Sequence, residues 1–137
     1  MADKIELDVV TPERRVLSRE VDAVVLPGEL GYLGVLPGHA PLLTRLSVGE
    51  LRFDAGGTTT RMAICSGYAE VLGHRVRVLA DTCELDHEID VERAERSRRR
   101  AEAELARKDL SGREFELAEY RLKKALTRIQ VHGRRAS

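Results

Sequence analysis

The 137-residue sequence predicts an N-terminal antiparallel β-sandwich followed by a C-terminal antiparallel two-helix hairpin. Short β-rich runs, separated by turn signals about every 8–12 residues, predict the sandwich over residues 1–87. An apolar period of three and four residues begins after Ile89 and predicts the hairpin over residues 88–137. The formal net charge changes sign at the same place: it is −4 for residues 1–87 and +4 for residues 88–137. The chain is therefore expected to fold as two domains.

The predicted strands are short apolar or alternating runs that end at turn-forming residues. In the first, apolar side chains alternate with charged ones from Ile5 to Val9, and Pro12 ends the run. No segment before residue 88 has a helical period. The other β-rich runs cover residues 16–18, 21–26, 50–54, 58–67, 68–73 and 74–85, with two short strands inside 32–49.

Two helices are predicted after residue 88. Asp90 is a good N-cap for the first, and the helix is expected to extend to about Lys108. Ser111–Glu114 has the spacing of a capping box and predicts the start of the second helix, which Gly133 ends. The short connection makes the helices antiparallel neighbours. The predicted apolar stripes are Val91, Ala94, Ala101 and Leu105 in the first helix, and Phe115, Ala118, Leu122, Ala125 and Ile129 in the second.

Both stripes contain few large apolar side chains. A fully buried Leu or Ile contributes only ~1.5–3 kcal/mol, and an Ala contributes much less. Ordering the backbone costs ~1–2 kcal/mol per residue, so two such helices barely offset that cost without help. The hairpin is therefore expected to be marginally stable, and able either to fold against the sandwich or to extend along a partner.

Basic residues are concentrated at the end of the chain. Residues 121–135 contain six basic side chains and no acidic one. Cations near a helix C-terminus complement its dipole, which accounts for one or two of them. The remainder predict contact with an acidic partner. The six are Arg121, Lys123, Lys124, Arg128, Arg134 and Arg135.

Several classes of protein are excluded by composition and motifs. Cys65 and Cys83 lie far apart in apolar runs, which predicts buried, reduced thiols and a cytosolic compartment. Charges begin at Asp3, so the start has no signal character, and no apolar run approaches the roughly 20 residues that span a membrane. No nucleotide-hydrolysis, serine-hydrolase or zinc-protease motif is present, and the four histidines are scattered. No catalytic residue and no metal site is predicted.

The arginine-rich part of the first predicted helix has two interpretations at this point. A nucleic-acid-binding module would use Arg96, Arg98, Arg99 and Arg100. Against it, aromatic residues make up only 4% of the chain and Trp is absent, which leaves no base-stacking surface. The alternative is a solvated face on which the arginines pair with the interleaved acids. Those acids are Glu92, Glu95, Glu102 and Glu104.

Three segments resemble the epsilon subunit of bacterial F-type ATP synthases. They are "PGHAPLLT" at 37–44, "LADTCEL" at 79–85 and "IDVERA" at 89–94, and the order of the two domains matches that family along the whole chain. The resemblance implies a non-catalytic subunit of the rotating central stalk that contacts the gamma subunit, the c-ring, and the alpha and beta subunits. It also implies a mobile hairpin that inhibits ATP hydrolysis when extended, and a peripheral location at the cytoplasmic face of the bacterial membrane.

The resemblance implies no required cofactor, but it does imply ATP as a regulatory ligand of the compact form. Arg93 and Arg100 lie seven residues apart, hence on one helix face, and guanidinium groups suit phosphate. Lys123 and Thr127 align where ATP-binding members carry arginines. A stand-alone ATP-sensing protein remains an alternative. The nucleotide-binding residues implied are Glu84, Ile89, Asp90, Arg93, Ala94, Arg100 and Lys123.

Two protein-contact sites are also implied by the resemblance. The c-ring and gamma interface comprises Tyr32, Pro37, Gly38 and His39, in which two prolines flank the histidine and fix the loop. The beta-subunit contact comprises Arg121, Lys124 and Arg128, which share one helix face at three- and four-residue spacing.

Overall fold

A computed structural model describes residues 3–134, and it confirms a β-sandwich followed by two helices. Within these residues the chain forms eight strands, a single 3₁₀ turn and two α-helices. The strands are β1 (Ile5–Val10), β2 (Arg15–Val21), β3 (Ala23–Gly28), β4 (Gly31–Val35), β5 (His39–Leu46), β6 (Gly49–Ala55), β7 (Thr58–Gly73) and β8 (Arg75–Leu85). The 3₁₀ turn is Asp86–Glu88, and the helices are α1 (Val91–Leu105) and α2 (Gly112–Gly133).

The strands form one continuous hydrogen-bonded sheet, in the order β2-β1-β8-β7-β5-β3-β4, with β6 paired to β3 and β7. The β1–β8 pair is parallel and the other pairs are antiparallel, so the predicted antiparallel sandwich contains one parallel pairing. Residues 58–67 and 68–73, expected as separate strands, form the single strand β7. This strand bends at Ser66 and Gly67, which both have positive φ, and pairs with β6 before the bend and β5 after it.

The bent sheet encloses one apolar core. Every strand contributes inward-facing side chains to it, following the two-residue alternation that a strand imposes. The largest fully buried members come from four strands, and they are Ile5, Leu7, Leu26, Leu51, Phe53, Met62 and Ile64. Cys83 is also part of this core, and burial raises the pKa of its thiol to about 12. Cys65 is buried and unpaired as well, so the prediction of buried reduced thiols is confirmed.

The two helices begin where the sequence predicts. The Asp90 carboxylate accepts a hydrogen bond of 3.1 Å from the backbone N–H of Arg93. Ser111 and Glu114 form a reciprocal capping box, with hydrogen bonds of 3.1 and 3.2 Å. The first helix ends at Leu105, three residues before its predicted end, because the chain reverses in a turn. None of the helices within residues 3–134 combines the length and the apolar character needed to cross a bilayer.

The helices pack on each other through small side chains. Ala94, Ala101, Ala118 and Ala125 are all fully buried between them, which allows the two backbones to approach closely. The stripe prediction is wrong for Phe115, which is 43% exposed. The core of the hairpin is thus made mostly of alanine.

The hairpin lies against the sandwich along a seam between α2 and strands β6 and β7. Its apolar part is a small cluster of Ala63, Ile89 and Val131. At another point the Tyr120 hydroxyl contacts the Cys65 thiol across the seam. Little apolar surface therefore holds the two domains together, and polar contacts contribute much of the attachment.

The 3₁₀ turn that joins the domains is tied to the β1–β2 turn by an ion pair. Arg14 donates a hydrogen bond of 2.8 Å to Glu88, whose carboxylate also accepts from the backbone N–H of Leu85. The hydrogen bond from Arg14 holds the pKa of the Glu88 carboxyl below its usual value of 4.5. A carboxyl with a lowered folded-state pKa stabilises the protein above its unfolded-state pKa, and this stability is lost as the pH falls through the folded-state value.

We expect Glu88→Gln to lower the free energy of unfolding modestly at neutral pH, because the pair is largely solvent-exposed. The difference from the wild-type chain should shrink as the pH falls through the lowered folded-state pKa of Glu88, because the wild-type carboxyl then becomes protonated as well. Chemical denaturation at a series of pH values measures both quantities. A difference that stays constant into acid would show that the ion pair contributes nothing.

Candidate functional site

A basic cleft lies between the two helices. Its volume is about 390 Å³. Five of its lining residues are basic and one is acidic. Two are alanines, whose small side chains leave space at the bottom of the cleft. The lining residues are Arg93, Ser97, Arg100 and Ala101, with Glu104 from α1, and Arg121, Lys124, Ala125 and Arg128 from α2.

Helical spacing brings these cations together. Arg93 and Arg100 are two turns apart on α1, and Arg121, Lys124 and Arg128 follow three- and four-residue steps on α2. Because the helices are antiparallel and separated only by alanines, both rows border the same groove. The residues predicted to contact a beta subunit therefore face the inter-helix cleft in this compact arrangement.

Two of the five cations already have carboxylate partners. Arg128 is in ion-pair contact with Glu84 of β8 at 2.7 Å, and Arg121 lies 3.5 Å from Glu104. Among the ion pairs of residues 3–134, none involves Arg93, Arg100 or Lys124. The cleft consequently has an excess of positive charge, which favours an anion with several negative groups.

A second cleft, of about 450 Å³, opens on the sandwich side of the same cations. Glu84 and Glu88 border it on one side, and Arg93, Lys124 and Arg128 border it on the other. The three basic residues line both clefts, so they form the wall between them. A ligand held by these side chains would contact both helices at the point where they meet the sandwich.

The structure distributes the predicted nucleotide-binding residues among several roles. Arg93 and Arg100 line the basic cleft, and Glu84 borders the second cleft while holding Arg128. Asp90 is engaged as the helix cap, and Ile89 packs in the seam. Ala94 is fully buried in the hairpin core. The side chains of Asp90, Ile89 and Ala94 line neither cleft. They act on the site by holding in place the helices that carry the cations.

Lys123 is not brought to the basic cleft. It borders two other clefts, beside Glu29 and Ser47 of the sandwich, and the Thr127 hydroxyl donates a hydrogen bond to its backbone carbonyl. Lys124 and Arg128, one residue later in each case, line the basic cleft. The helical phase set by Ala118 and Ala125 was the signal that could have identified them, because it fixes which side of α2 faces α1.

The predicted c-ring and gamma residues fall into two groups. Pro37–His39 lies at the end of β4 and the start of β5, where the backbone N–H of Gly38 bonds to the carbonyl of Gly73. Tyr32 lies at the other end of β4, and its hydroxyl accepts a hydrogen bond from the backbone N–H of Glu50. Within residues 3–134 the two groups therefore occupy opposite ends of one strand.

Of the four arginines considered for nucleic-acid binding, one is paired with acids and another lines the basic cleft. Arg98 pairs with Glu95 at 2.8 Å and with Glu102 at 3.3 Å along its own helix. Arg100 faces the basic cleft. The pairing of Arg98 follows the solvated-face interpretation, and the structure offers the nucleic-acid alternative no support. Arg135, the last of the six C-terminal basic residues, lies outside the described residues.

The outer face of strands β5, β7 and β8, beside the hairpin, carries several exposed apolar side chains. Leu43, Tyr68, Leu72 and Leu79 lie on the neighbouring strands β5, β7 and β8, and each is about half exposed or more. Arg45 contacts the face of the Tyr68 ring. Such a group of large apolar residues is typical of a surface that binds another protein.

Comparison with known proteins gives a consistent match for both domains. A family model described as "ATP synthase, Delta/Epsilon chain, beta-sandwich domain" matches residues 4–86, and one described as "ATP synthase, Delta/Epsilon chain, long alpha-helix domain" matches residues 87–133. An ATP synthase epsilon chain from Citrifermentans bemidjiense is 46% identical over 99% of both chains. The corresponding chain from Syntrophobacter fumaroxidans is 51% identical over 96% of this chain and 97% of its own.

Solved structures agree on the fold. A chain of the Euglena gracilis mitochondrial ATP synthase, solved with its OSCP, F1 and c-ring parts, superposes with a TM-score of 0.80 at 23% identity. The match covers 90% of this chain and 78% of that one. Because both domains and nearly the full length are shared with the bacterial relatives, the chain belongs to the ATP synthase epsilon-chain family.

Proposed function

We propose that this chain is a non-catalytic subunit of the central stalk of an F-type, proton-translocating ATP synthase. The observation that carries the proposal is the match of both domains, over 99% of the chain, to an ATP synthase epsilon chain. In this role it couples rotation of the c-ring to ATP synthesis at the alpha and beta subunits. It is located peripherally, at the cytoplasmic face of the bacterial membrane.

The sandwich supplies the contacts to the rest of the stalk. The exposed apolar face of β5, β7 and β8 offers the gamma subunit a surface that would otherwise remain in water. The turn between β3 and β4 presents the fully exposed side chain of Leu30, and the Pro37–His39 loop lies at the other end of β4. One of these two ends of β4 faces the c-ring. The hydrogen-bonded sheet makes this domain the rigid part of the subunit.

The hairpin acts as a brake on ATP hydrolysis. In the compact arrangement, α2 leaves Phe115, Leu117 and Leu126 each more than two-fifths exposed, although these are large apolar residues. Its basic row is meanwhile turned inward to the cleft. Extension of the hairpin along gamma would bury the apolar side chains and present the basic row to acidic segments of the beta subunits. The alanine core and the small apolar seam keep the compact form weakly held.

The basic cleft holds the phosphate groups of ATP as a regulatory ligand. Arg93, Arg100 and Lys124 supply cations that have no ion pair within residues 3–134, and Arg128 is oriented by Glu84. A ligand bound to both helices stabilises the compact form by RT ln(1 + [L]/Kd) if it has no affinity for the extended one. High ATP would then release the brake on the enzyme, and low ATP would apply it.

Removing the hairpin tests the brake directly. We expect an assembled ATP synthase carrying this chain truncated after Glu88 to hydrolyse ATP about fivefold faster, which corresponds to loss of ~1 kcal/mol of inhibitory bias. Proton pumping should continue, since the sandwich core is built from residues that precede the cut. Hydrolysis and pumping are measured on the same membrane vesicles.

A full-length chain with Arg113→Gln is the matched control, because this residue is exposed at the start of α2 and lines none of the clefts described above. It should hydrolyse at the wild-type rate. Unchanged hydrolysis after truncation would refute the brake, whereas loss of pumping would refute the assignment of coupling to the sandwich.

A further inference from the structure

Glu50 is a carboxylate buried at the seam, outside the apolar core. Along β6, Leu51 and Phe53 belong to the core, whereas the side chain of Glu50 lies on the opposite face of the strand. It is nevertheless only 6% exposed. A small cleft of about 240 Å³ separates it from the last turns of α2, which border the cleft through Gln130 and Arg134. Its burial therefore depends on the hairpin being docked.

Two arginines compensate this buried charge. Arg61 on the neighbouring strand β7 approaches to 3.7 Å, and Arg134 at the C-terminal end of α2 donates a hydrogen bond of 3.4 Å. Both contacts use the same carboxylate oxygen. The other oxygen, Oε1, is buried and has no hydrogen-bond partner within residues 3–134. Arg52 also borders the cleft. The carboxylate is thus buried with incomplete compensation, and the hairpin provides one of its two counter-ions.

We infer that Glu50 and Arg134 form a latch that fixes the last turn of α2 to the sandwich and sets how readily the hairpin leaves it. The inference rests on the proposed mobility of the hairpin and identifies where that mobility is controlled. Within residues 3–134 the buried apolar cluster of the seam has three members, so a charged contact at the end of the seam has a large share in the attachment. When the hairpin leaves, Glu50 regains water and keeps Arg61 beside it.

Each half of the latch affects mainly the docked state. Without Arg134, docking the hairpin would bury Glu50 against Arg61 alone, and an undercompensated buried charge is costly. Without the Glu50 carboxylate, Arg61 and Arg134 lose the oxygen that both of them contact in the docked state. Both changes shift the equilibrium towards the undocked hairpin, and they share one interaction, so their effects should not add.

The Cys65 thiol reports on docking without any added probe site. It is buried at the seam against Tyr120, whereas Cys83 is buried in the sandwich core. Labelling of the full chain with N-ethylmaleimide, followed by mass spectrometry of the two cysteine peptides, separates hairpin release from unfolding of the sandwich. We expect Arg134→Gln and Glu50→Gln each to accelerate labelling of Cys65 about tenfold while labelling of Cys83 stays slow. The double variant should label about as fast as the singles.

Arg107→Gln is the matched control. Its side chain is 53% exposed against 50% for Arg134, its 3.0 Å ion pair with Asp109 lies within the hairpin, and it lines none of the clefts described above. It should leave the labelling rate of Cys65 unchanged. Wild-type rates in both latch variants, or equal acceleration of Cys65 and Cys83, would overturn the latch. Accelerated Cys65 labelling with unchanged ATP hydrolysis in the assembled enzyme would instead support the latch and refute the brake.

Discussion

Mg-ATP at millimolar concentration should slow hydrogen exchange of the backbone amides of residues 90–100, and Arg93→Ala should abolish this protection. The side chain of Arg93 lines both clefts, so it is the cation of α1 best placed to hold a phosphate where helices and sandwich meet. A charge-assisted hydrogen bond is worth ~1.5–3 kcal/mol, so its loss weakens binding by about 10- to 100-fold. Exchange measured by mass spectrometry with and without Mg-ATP gives the result.

The two adjacent lysines of α2 provide a matched pair for this experiment. Lys124 lines the basic cleft, whereas Lys123 borders clefts on the other side of the helix. We expect Lys124→Ala to reduce the protection by Mg-ATP and Lys123→Ala to leave it intact. Equal effects of both substitutions would indicate general charge attraction without a defined site. If Mg-ATP protects no amide in the wild-type chain, the proposal that ATP is the ligand of the cleft is refuted.

The sequence was sufficient for the fold wherever local chemistry decides the structure. The cap at Asp90, the capping box at Ser111–Glu114 and the alternation from Ile5 to Val9 each depend on neighbouring residues only, and all appear as predicted. Pairing between distant strands was beyond this reasoning. The parallel contact of β1 with β8 joins residues about 70 positions apart, and the alternation within a strand is the same for parallel and antiparallel neighbours.

The candidate site was predictable on α1 and less so on α2. Arg93 and Arg100 could be placed on one face because their spacing is two full turns of the same helix. The choice between Lys123 and Lys124 requires the rotation of α2 relative to α1, which depends on how the alanines of both helices pack. The burial of Glu50 could not be predicted from the sequence either. The neighbours of a charged residue on a strand do not indicate that a helix more than 60 residues later covers it.

Gly67→Ala should be the most destabilising of the substitutions considered. Gly67 lies where β7 bends between its pairing with β6 and with β5, and its φ of +125° lies in a region that other residues rarely adopt. A Cβ atom at this position would overlap the backbone carbonyl of Leu79 and lie 2.8 Å from the Cα of Ala80, on the paired strand β8. Backbone cannot move aside as a flexible side chain can.

We therefore expect Gly67→Ala to lower the free energy of unfolding by more than about 3 kcal/mol, which combines conformational strain with the overlap. Gly57→Ala separates the two causes. Gly57 also has a positive φ, of +81°, but a Cβ there meets nothing within 4 Å, so only the conformational cost of about 1 kcal/mol should appear. Urea denaturation of both variants measures the difference. Equal losses would show that the bend relaxes to admit the methyl group and that the contact with β8 does not fix the shape of the sandwich.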